Sequence, residues 1–363
     1  MPVFIAASVE NASILLSLFT ILASAKLMAE FFERLKQPAV VGEILAGVLI
    51  GPSILGWVEP SIVISVLAEV GVIFLLFNVG LQTKLRSVLS VGRKAVFVGV
   101  LGIIVPFIAG YYISLLWGGS TTESMFIGAA LVATSVGITA RVLASLGLMD
   151  TDAARIILGA AIIDDILGLM ILSVVSGLSK GNISYLKLAG STSSAILFTV
   201  GVAVAGAILV SRLAPRIKKL HISKPFFNFG LILCLGLSVA AMYMQVAAII
   251  GAFLAGMALS EATEDNFKMR KLTSGVTEFL VPFFLVNIGM QLNLAIFADS
   301  SVIMFAVVIT IVAVLTKFIG CGIGAYGEGW RKSAQVGIGM VPRGEVGIVV
   351  AQIGLGARGR RAA

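Results

Sequence analysis

Charge is scarce in these 363 residues: 12% are Asp, Glu, Lys or Arg, against about 25% in an ordinary soluble domain. With 59% hydrophobic residues and 40 glycines, that scarcity excludes a water-soluble enzyme and makes lipid the surrounding medium. There is a single histidine, His221, in a basic loop, where it reads as a solvated residue rather than a pH sensor. The two cysteines, Cys234 and Cys321, fall inside apolar runs and read as small core residues, which leaves no disulfide or metal pair. Ten-residue alternating segments are missing, so a membrane barrel is excluded. No basic leader with an Ala-x-Ala site precedes the first apolar run, which therefore reads as a true span. Gly322 to Gly327 matches GxGxxG, but it follows no strand and ends a span, so it is not read as a dinucleotide site.

What is present is a series of long apolar runs. A bilayer-spanning helix needs about 20 residues. Twelve helices, A to L, are predicted near 12–32, 38–58, 61–82, 94–117, 123–147, 152–179, 190–213, 226–244, 246–261, 273–292, 301–325 and 333–356. The fold class is thus all-α and polytopic. Net charge is +8, which in a soluble protein would suggest nucleic acid, but here the basic residues alternate between loops. Eighteen of the 26 lie in or beside every second loop, among them Arg34, Lys36, Lys84, Arg86, Arg93, Lys94, Arg141, Arg155 and the run from Arg212 to Lys224. The intervening loops hold only Lys180 and Lys187. By the positive-inside rule the N-terminus is expected outside the cell membrane. The sequon Asn182-Ile183-Ser184 on the outer side is of a kind that arises by chance.

An internal repeat organises the chain. At an offset of 209, Glu69 to Leu85 aligns with Glu278 to Leu294, and Gly42 to Gly47 (GEILAG) meets Gly251 to Gly256 (GAFLAG). At 210, Val136-Gly-Ile138 meets Val346-Gly-Ile348. The offset carries each helix onto one seven spans later, which inverts the second unit and predicts a secondary transporter with its substrate near the midplane. Repeat 1 is expected over about 12–179, a linker helix over 190–213 and repeat 2 over 226–356. Thr134-Ser135 in E and Pro342-Arg343-Gly344-Glu345 in L are expected to break their helices at matching places. Helix F maps onto a thirteenth helix that would begin at the basic tail Ala357 to Ala363. That mismatch predicts twelve spans of thirteen, by truncation or a frame change after about Gly356.

Charges at bilayer depth cost about 2.5–3.5 kcal/mol each on insertion scales, so each is a functional candidate. Asp164 and Asp165 sit centrally in F and point about 100° apart, so they cannot share one job. Lys317 in K is the expected counter-charge of one of them. Arg343 and Glu345 read as a structural pair near the break in L, while Glu43, Glu69 and Glu278 read as structural.

Taken in order, Gln37-Pro-Ala-Val-Val-Gly-Glu-Ile-Leu-Ala-Gly47, Gly51-Pro52, Ala133 to Ala140, Ile162-Ile-Asp-Asp-Ile-Leu-Gly168, Pro282-Phe-Phe with Gly289, Lys317 and Arg343-Gly-Glu345 cover nearly the whole chain. They resemble the monovalent cation:proton antiporter superfamily, in the branch of NapA-type sodium/proton antiporters and Kef-type potassium transporters. The resemblance implies an inverted-repeat fold with two crossed discontinuous helices. It also implies a homodimerisation part (helices A to C and H to J, about 12–82 and 226–292) and an ion-binding core (about 94–179 and 301–356). It assigns cation and proton binding, with Na⁺ as cargo, to Asp165, pairs Asp164 with Lys317, and lends Thr134 and Ser135 as oxygen donors at the crossing. Paired aspartates with a lysine resemble the electrogenic members; the Kef relatives' Gln-Asp pair and nucleotide-binding domain are not matched. The expected activity is exchange of H⁺ for Na⁺, or Li⁺, in pH homeostasis, by a transporter that is not an enzyme and needs no cofactor or nucleic acid. A K⁺ or other cation antiporter, a cation channel and a truncated inactive product are the alternatives.

Overall fold

The computed structural model describes residues 2–83, 92–179, 185–244, 246–260, 267–298 and 300–343, and these are helices and their connections. In chain order they form α1 (Pro2–Arg34), α2 (Ala39–Ile50), α3 (Ile62–Gln82), α4 (Gly92–Leu116), α5 (Thr121–Val132), α6 (Val136–Ser145), α7 (Asp152–Ser179), α8 (Tyr185–Lys218), α9 (Pro225–Tyr243), α10 (Ala248–Ser260), α11 (Phe267–Met290), α12 (Ser300–Gly324) and α13 (Trp330–Gly339). Short 3₁₀ turns cover Leu294–Ala298 and Tyr326–Glu328.

Among the described residues, eight stretches are long and apolar enough to cross a membrane. Helices B and I appear as α2 and α10, apolar but only 12 and 13 residues long. α2 stops at Gly51-Pro52 because proline has no N–H to continue the ladder. Helix E is two pieces, α5 and α6. Helix L is described only through α13 and Arg343; its remainder, Glu345 and the tail Ala357 to Ala363 lie outside the described residues, as do Lys84, Arg86 and the sequon.

Local chemistry explains several boundaries. Ser120 caps α5 in a full capping box: its Oγ accepts from Glu123 N at 3.3 Å while the Glu123 carboxylate accepts from Ser120 N at 3.0 Å. α9 begins after Lys224 in the left-handed region (φ 54°), with Pro225 supplying the preset φ of a first helical turn. α10 is buried on every side, as a helix that is apolar all round requires.

The chain divides into two compact units. The first takes the described parts of Met1–Leu75 and Arg270–Val302, and the second those of Leu76–Met269 and Ile303–Ala363. In the first, Ile21 and Ala25 of α1, Ala46 and Ile50 of α2, and Phe283, Val286 and Met290 of α11 form one buried cluster. In the second, α7 packs against α4, α5, α6, α8 and α13.

Glycines mark the closest helix approaches, where a methyl group would overlap a neighbouring backbone. In the first unit Gly47 lies against the Val286 carbonyl, Gly289 against Ile44 and Gly42 against Met28. In the second unit Gly256 lies against the Phe77 carbonyl, Gly80 against Phe253 and Gly251 against Leu237. Each residue of these three pairs, shifted by 209, becomes a residue of the matching pair in the other unit. Gly71 lies against Leu280, its own image under the same shift.

Candidate functional site

The site forms in the second unit, where α5 and α13 both end. α5 ends at Val132 and α6 starts at Val136, with Ala133 to Ser135 outside either helix and Ser135 extended. Ser135 caps α6, its Oγ accepting from Ile138 N at 3.4 Å. α13 ends at Gly339, and residues 341–343 continue without helical structure.

The stretch between α5 and α6 meets the end of α13. Ser135 N donates to the Pro342 carbonyl at 2.9 Å, Thr134 Oγ1 to the Met340 carbonyl at 3.3 Å and Thr139 Oγ1 to the Gly339 carbonyl at 3.0 Å. A helix ends with up to four carbonyls lacking an intrahelical partner and the negative end of its dipole, so buried ends need donors. For α13 the described side-chain donors are neutral hydroxyls. For α5 they are cations: Arg343 donates to Leu131 and Ala133, the latter at 2.6 Å, and Lys317 Nζ donates to Val132 at 2.7 Å. The 209 shift places Thr134 on Arg343 and Leu131 on Met340. The Thr134–Met340 bond is therefore the counterpart of the Arg343–Leu131 bond, with a hydroxyl where the other has a guanidinium.

Lys317 is fully buried and uses its three protons on three acceptors: Val132 O, Gly102 O at 2.8 Å and Asp164 Oδ1 at 2.8 Å. Gly102 makes this possible, because a methyl there would collide with Cys321 Sγ and approach Lys317 Nζ. Asp165, one residue on, points elsewhere. It lines a narrow cleft of about 10 Å³ whose other walls are apolar: Leu76, Val136, Leu158, Ile162, Ile249, Ile250 and Phe253. Asp164 is 2% exposed and Asp165 only partly buried, so the adjacent carboxylates occupy different electrostatic environments.

Of the residues singled out in the sequence, Asp164, Lys317, Thr134, Ser135 and Arg343 come together at the crossing, and Asp165 faces the cleft. The expected partner of Arg343, Glu345, lies outside the described residues; among the described residues the guanidinium donates to the carbonyls of Leu131, Ala133 and, at 3.2 Å, Ala313. Sequence reasoning missed Thr139, whose signal is its position one turn after the Ser135 cap. It also missed the backbone carbonyls, which carry no side-chain signal.

α13 is ten residues long, so its placement depends on anchors. Gly339 lies against Ile157 of α7, two turns before Asp164. At the other end, Lys332 pairs with Asp152 at 2.9 Å and Glu328 at 3.6 Å, Glu328 pairs with Lys94, and Asp152 with Arg155 at 3.1 Å. The hydrogen bond from Lys332, then its charge, lowers the Asp152 pKa; Lys94 does the same for Glu328, and Asp152 raises that of Lys332. Lowered carboxyl values give stability that is present above the ordinary carboxylate range of about 4 and lost as pH falls through the folded values. The raised Lys332 value adds stability that is present below about 10.4 and lost as pH rises through its folded value. Melting of the purified protein is therefore expected to be flat from about pH 6 to 9 and to fall on acidification. In Lys332→Gln the acid fall should be shallower and less dependent on salt; a wild-type acid limb in that variant would refute the assignment.

A sequence profile for the transmembrane sodium/hydrogen exchanger family matches residues 17–360. The chain is 36% identical over 340 residues to the Na⁺/H⁺-K⁺ antiporter GerN of Bacillus cereus, covering 92% of this chain and 86% of that protein. It is 34% identical over 389 residues to the high-affinity Na⁺/H⁺ antiporter NhaS3 of Synechocystis sp., covering 94% and 83%. In fold it is similar to the sodium proton antiporter MjNhaP1 of Methanocaldococcus jannaschii, with a TM-score of 0.70, 19% identity and coverage of 94% and 84%.

Proposed function

The chain belongs to the sodium/hydrogen exchanger family, and on that premise we propose that it exchanges Na⁺ for H⁺ across a cell membrane by alternating access. The observation that carries the reading is the separation of the paired carboxylates. Asp164 is committed to Lys317, while Asp165 is the acid on the cleft. Asp165 is the exchange site: Na⁺ and protons compete for one carboxylate, so arrival of one cargo requires departure of the other. Thr134 and Ser135, at the crossing, carry hydroxyl oxygens of a kind suited to a hard monovalent cation. Cation entry loosens the Asp164–Lys317 pair, and the neutralised core then moves to release its cargo on the opposite side. Two protons leave per Na⁺, which makes the exchange electrogenic.

The matched glycine contacts support an inverted repeat whose halves exchange roles across the α3 and α11 crossing. Helices A to C and H to J form the dimerising part, and D to F with K and L the part that carries the ion. This is a division by motion and does not follow the compact units, which group α9 and α10 with the second. The N-terminus lies outside, which puts Lys94, Asp152, Glu328 and Lys332 on the cytoplasmic side.

Potassium is a second cargo to test, because the relative GerN is a Na⁺/H⁺-K⁺ antiporter. In proteoliposomes with an imposed pH gradient, Na⁺ is expected to collapse the gradient at micromolar to millimolar concentration, with Li⁺ close behind and K⁺ weaker. A gradient insensitive to all three cations, or current that persists without a pH dependence, would overturn the antiporter reading.

A further inference from the structure

We propose that the outward face of α8 and the turn after it form a binding surface for an anionic phospholipid, with acyl chains along the helix and the phosphate on its basic end. α8 is 34 residues long. At 1.5 Å per residue that is about 50 Å, against about 30 Å for the hydrocarbon core. Its apolar window ends at Val210, so the residues that follow stand at headgroup depth.

Two faces separate cleanly along this helix. Gly206, set against Ala258 of α10, and the buried Val210 and Ile217 define the inward side. On the outward side a stripe at spacings of three and four runs through Leu197, Val200, Val204 and Ile208, which are 75%, 56%, 49% and 49% exposed. The same stripe continues as Arg212, Arg216 and Lys219, all exposed. One more turn, closed by Lys219 N to Arg216 O and Leu220 N to Ile217 O at 3.1 Å, carries it past the helix end. The change from apolar to cationic on one face matches a phospholipid from tail to head.

Among the described residues these charges meet no carboxylate, unlike those around α13. Lys94, Arg155 and Lys332 each meet a carboxylate; Arg212, Arg216 and Lys219 form no ion pair with any described residue. No acidic residue occurs between Asp165 and Glu261 in the sequence. Lys218, Lys224 and His221 add to the same patch, and the half-exposed Leu220 and Ile222 offer apolar contact at the interface. Arginines one turn apart, about 6 Å along the axis, can grip one phosphate together through paired N–H donors. Basic clusters beside a membrane helix select anionic lipid electrostatically.

The test is retention of phosphatidylglycerol by the full chain, purified from mixed phosphatidylcholine and phosphatidylglycerol nanodiscs and read by native mass spectrometry. Replacing Arg212, Arg216 and Lys219 with Gln should reduce retained phosphatidylglycerol by about fivefold per cation removed. An equal charge loss at Arg93, Lys271 and Arg331 should leave retention unchanged, and Lys at positions 212 and 216 should preserve most of it. Glycerol phosphate in solution should not displace the lipid, because it lacks the acyl chains that the Leu197 to Ile208 stripe holds. Equal retention in the Gln and control variants would overturn the proposal. Displacement by glycerol phosphate alone would overturn the lipid assignment in favour of a soluble anion.

Discussion

Asp165→Asn is expected to abolish Na⁺-dependent proton movement in proteoliposomes, with a loss of at least about a hundredfold, while the protein still folds and inserts. The carboxamide has nearly the shape of the carboxylate, so the surrounding Val136, Leu158, Ile162 and Phe253 lose no packing. What disappears is the charge. A neutral amide neither carries a proton nor attracts a bare cation, and the loss of a charged partner at a binding site is worth about 3 kcal/mol, or two decades in affinity. No other residue on the cleft can substitute, because the other lining side chains are aliphatic or aromatic. Asp164 cannot take over either, since its Oδ1 is held by Lys317 at 2.8 Å. Asp165→Glu is the informative companion: it keeps the charge but pushes it further into the cleft, so exchange should persist with a higher apparent KM for Na⁺. Exchange at the wild-type rate in Asp165→Asn would refute the assignment of this carboxylate.

The site residues that sequence reading recovers are those that break a rule visible in one dimension. Asp164, Asp165 and Lys317 are charges in apolar surroundings, and the cost of placing them there is what makes them stand out. The break between α5 and α6 is legible for a related reason: Thr134 and Ser135 interrupt an apolar run, and Ser135 then acts as a cap. The 209 offset is equally readable, and it predicts the start of α10 from α2 and of α13 from α5. The target of Arg343 is not readable. Its acceptors are backbone carbonyls of Leu131, Ala133 and Ala313, and carbonyls exist at every position; only the folded chain shows that a half-helix ends beside them. The sequence assignment rests on Glu345, because side-chain charge is visible and a helix dipole is not; Glu345 itself lies outside the described residues. The shortness of α2 and α10 is hidden for another reason: apolar composition sets where a segment can be buried, but Gly51-Pro52 and the turn that follows set how far α2 continues.

The same separation of roles gives Lys317 a different phenotype from Asp165. Lys317→Met removes a cation that is fully buried and makes three hydrogen bonds, leaving Asp164 and the carbonyls of Gly102 and Val132 without it. Breaking one side of a buried pair costs about 3–5 kcal/mol, whereas removing both charges together is often neutral. Lys317→Met is therefore expected to unfold at markedly lower temperature than the wild type, and the double variant with Asp164→Asn should recover most of the loss. If the single variant is as stable as the wild type, the Lys317–Asp164 pair does not hold the crossing together. Lys317→Gln tests the transport role, because its amide can still donate to a carbonyl and keep the end of α5 capped while carrying no charge. If the pair opens when Na⁺ arrives at Asp165, one of the two exchanged protons travels through it. Removing the ammonium then leaves one proton per Na⁺. Solid-supported-membrane recordings should show charge movement falling well below wild type, while proton exchange measured by dye persists at a reduced rate. Exchange with unchanged charge movement would place the second proton elsewhere and leave Lys317 with the structural task of closing α5.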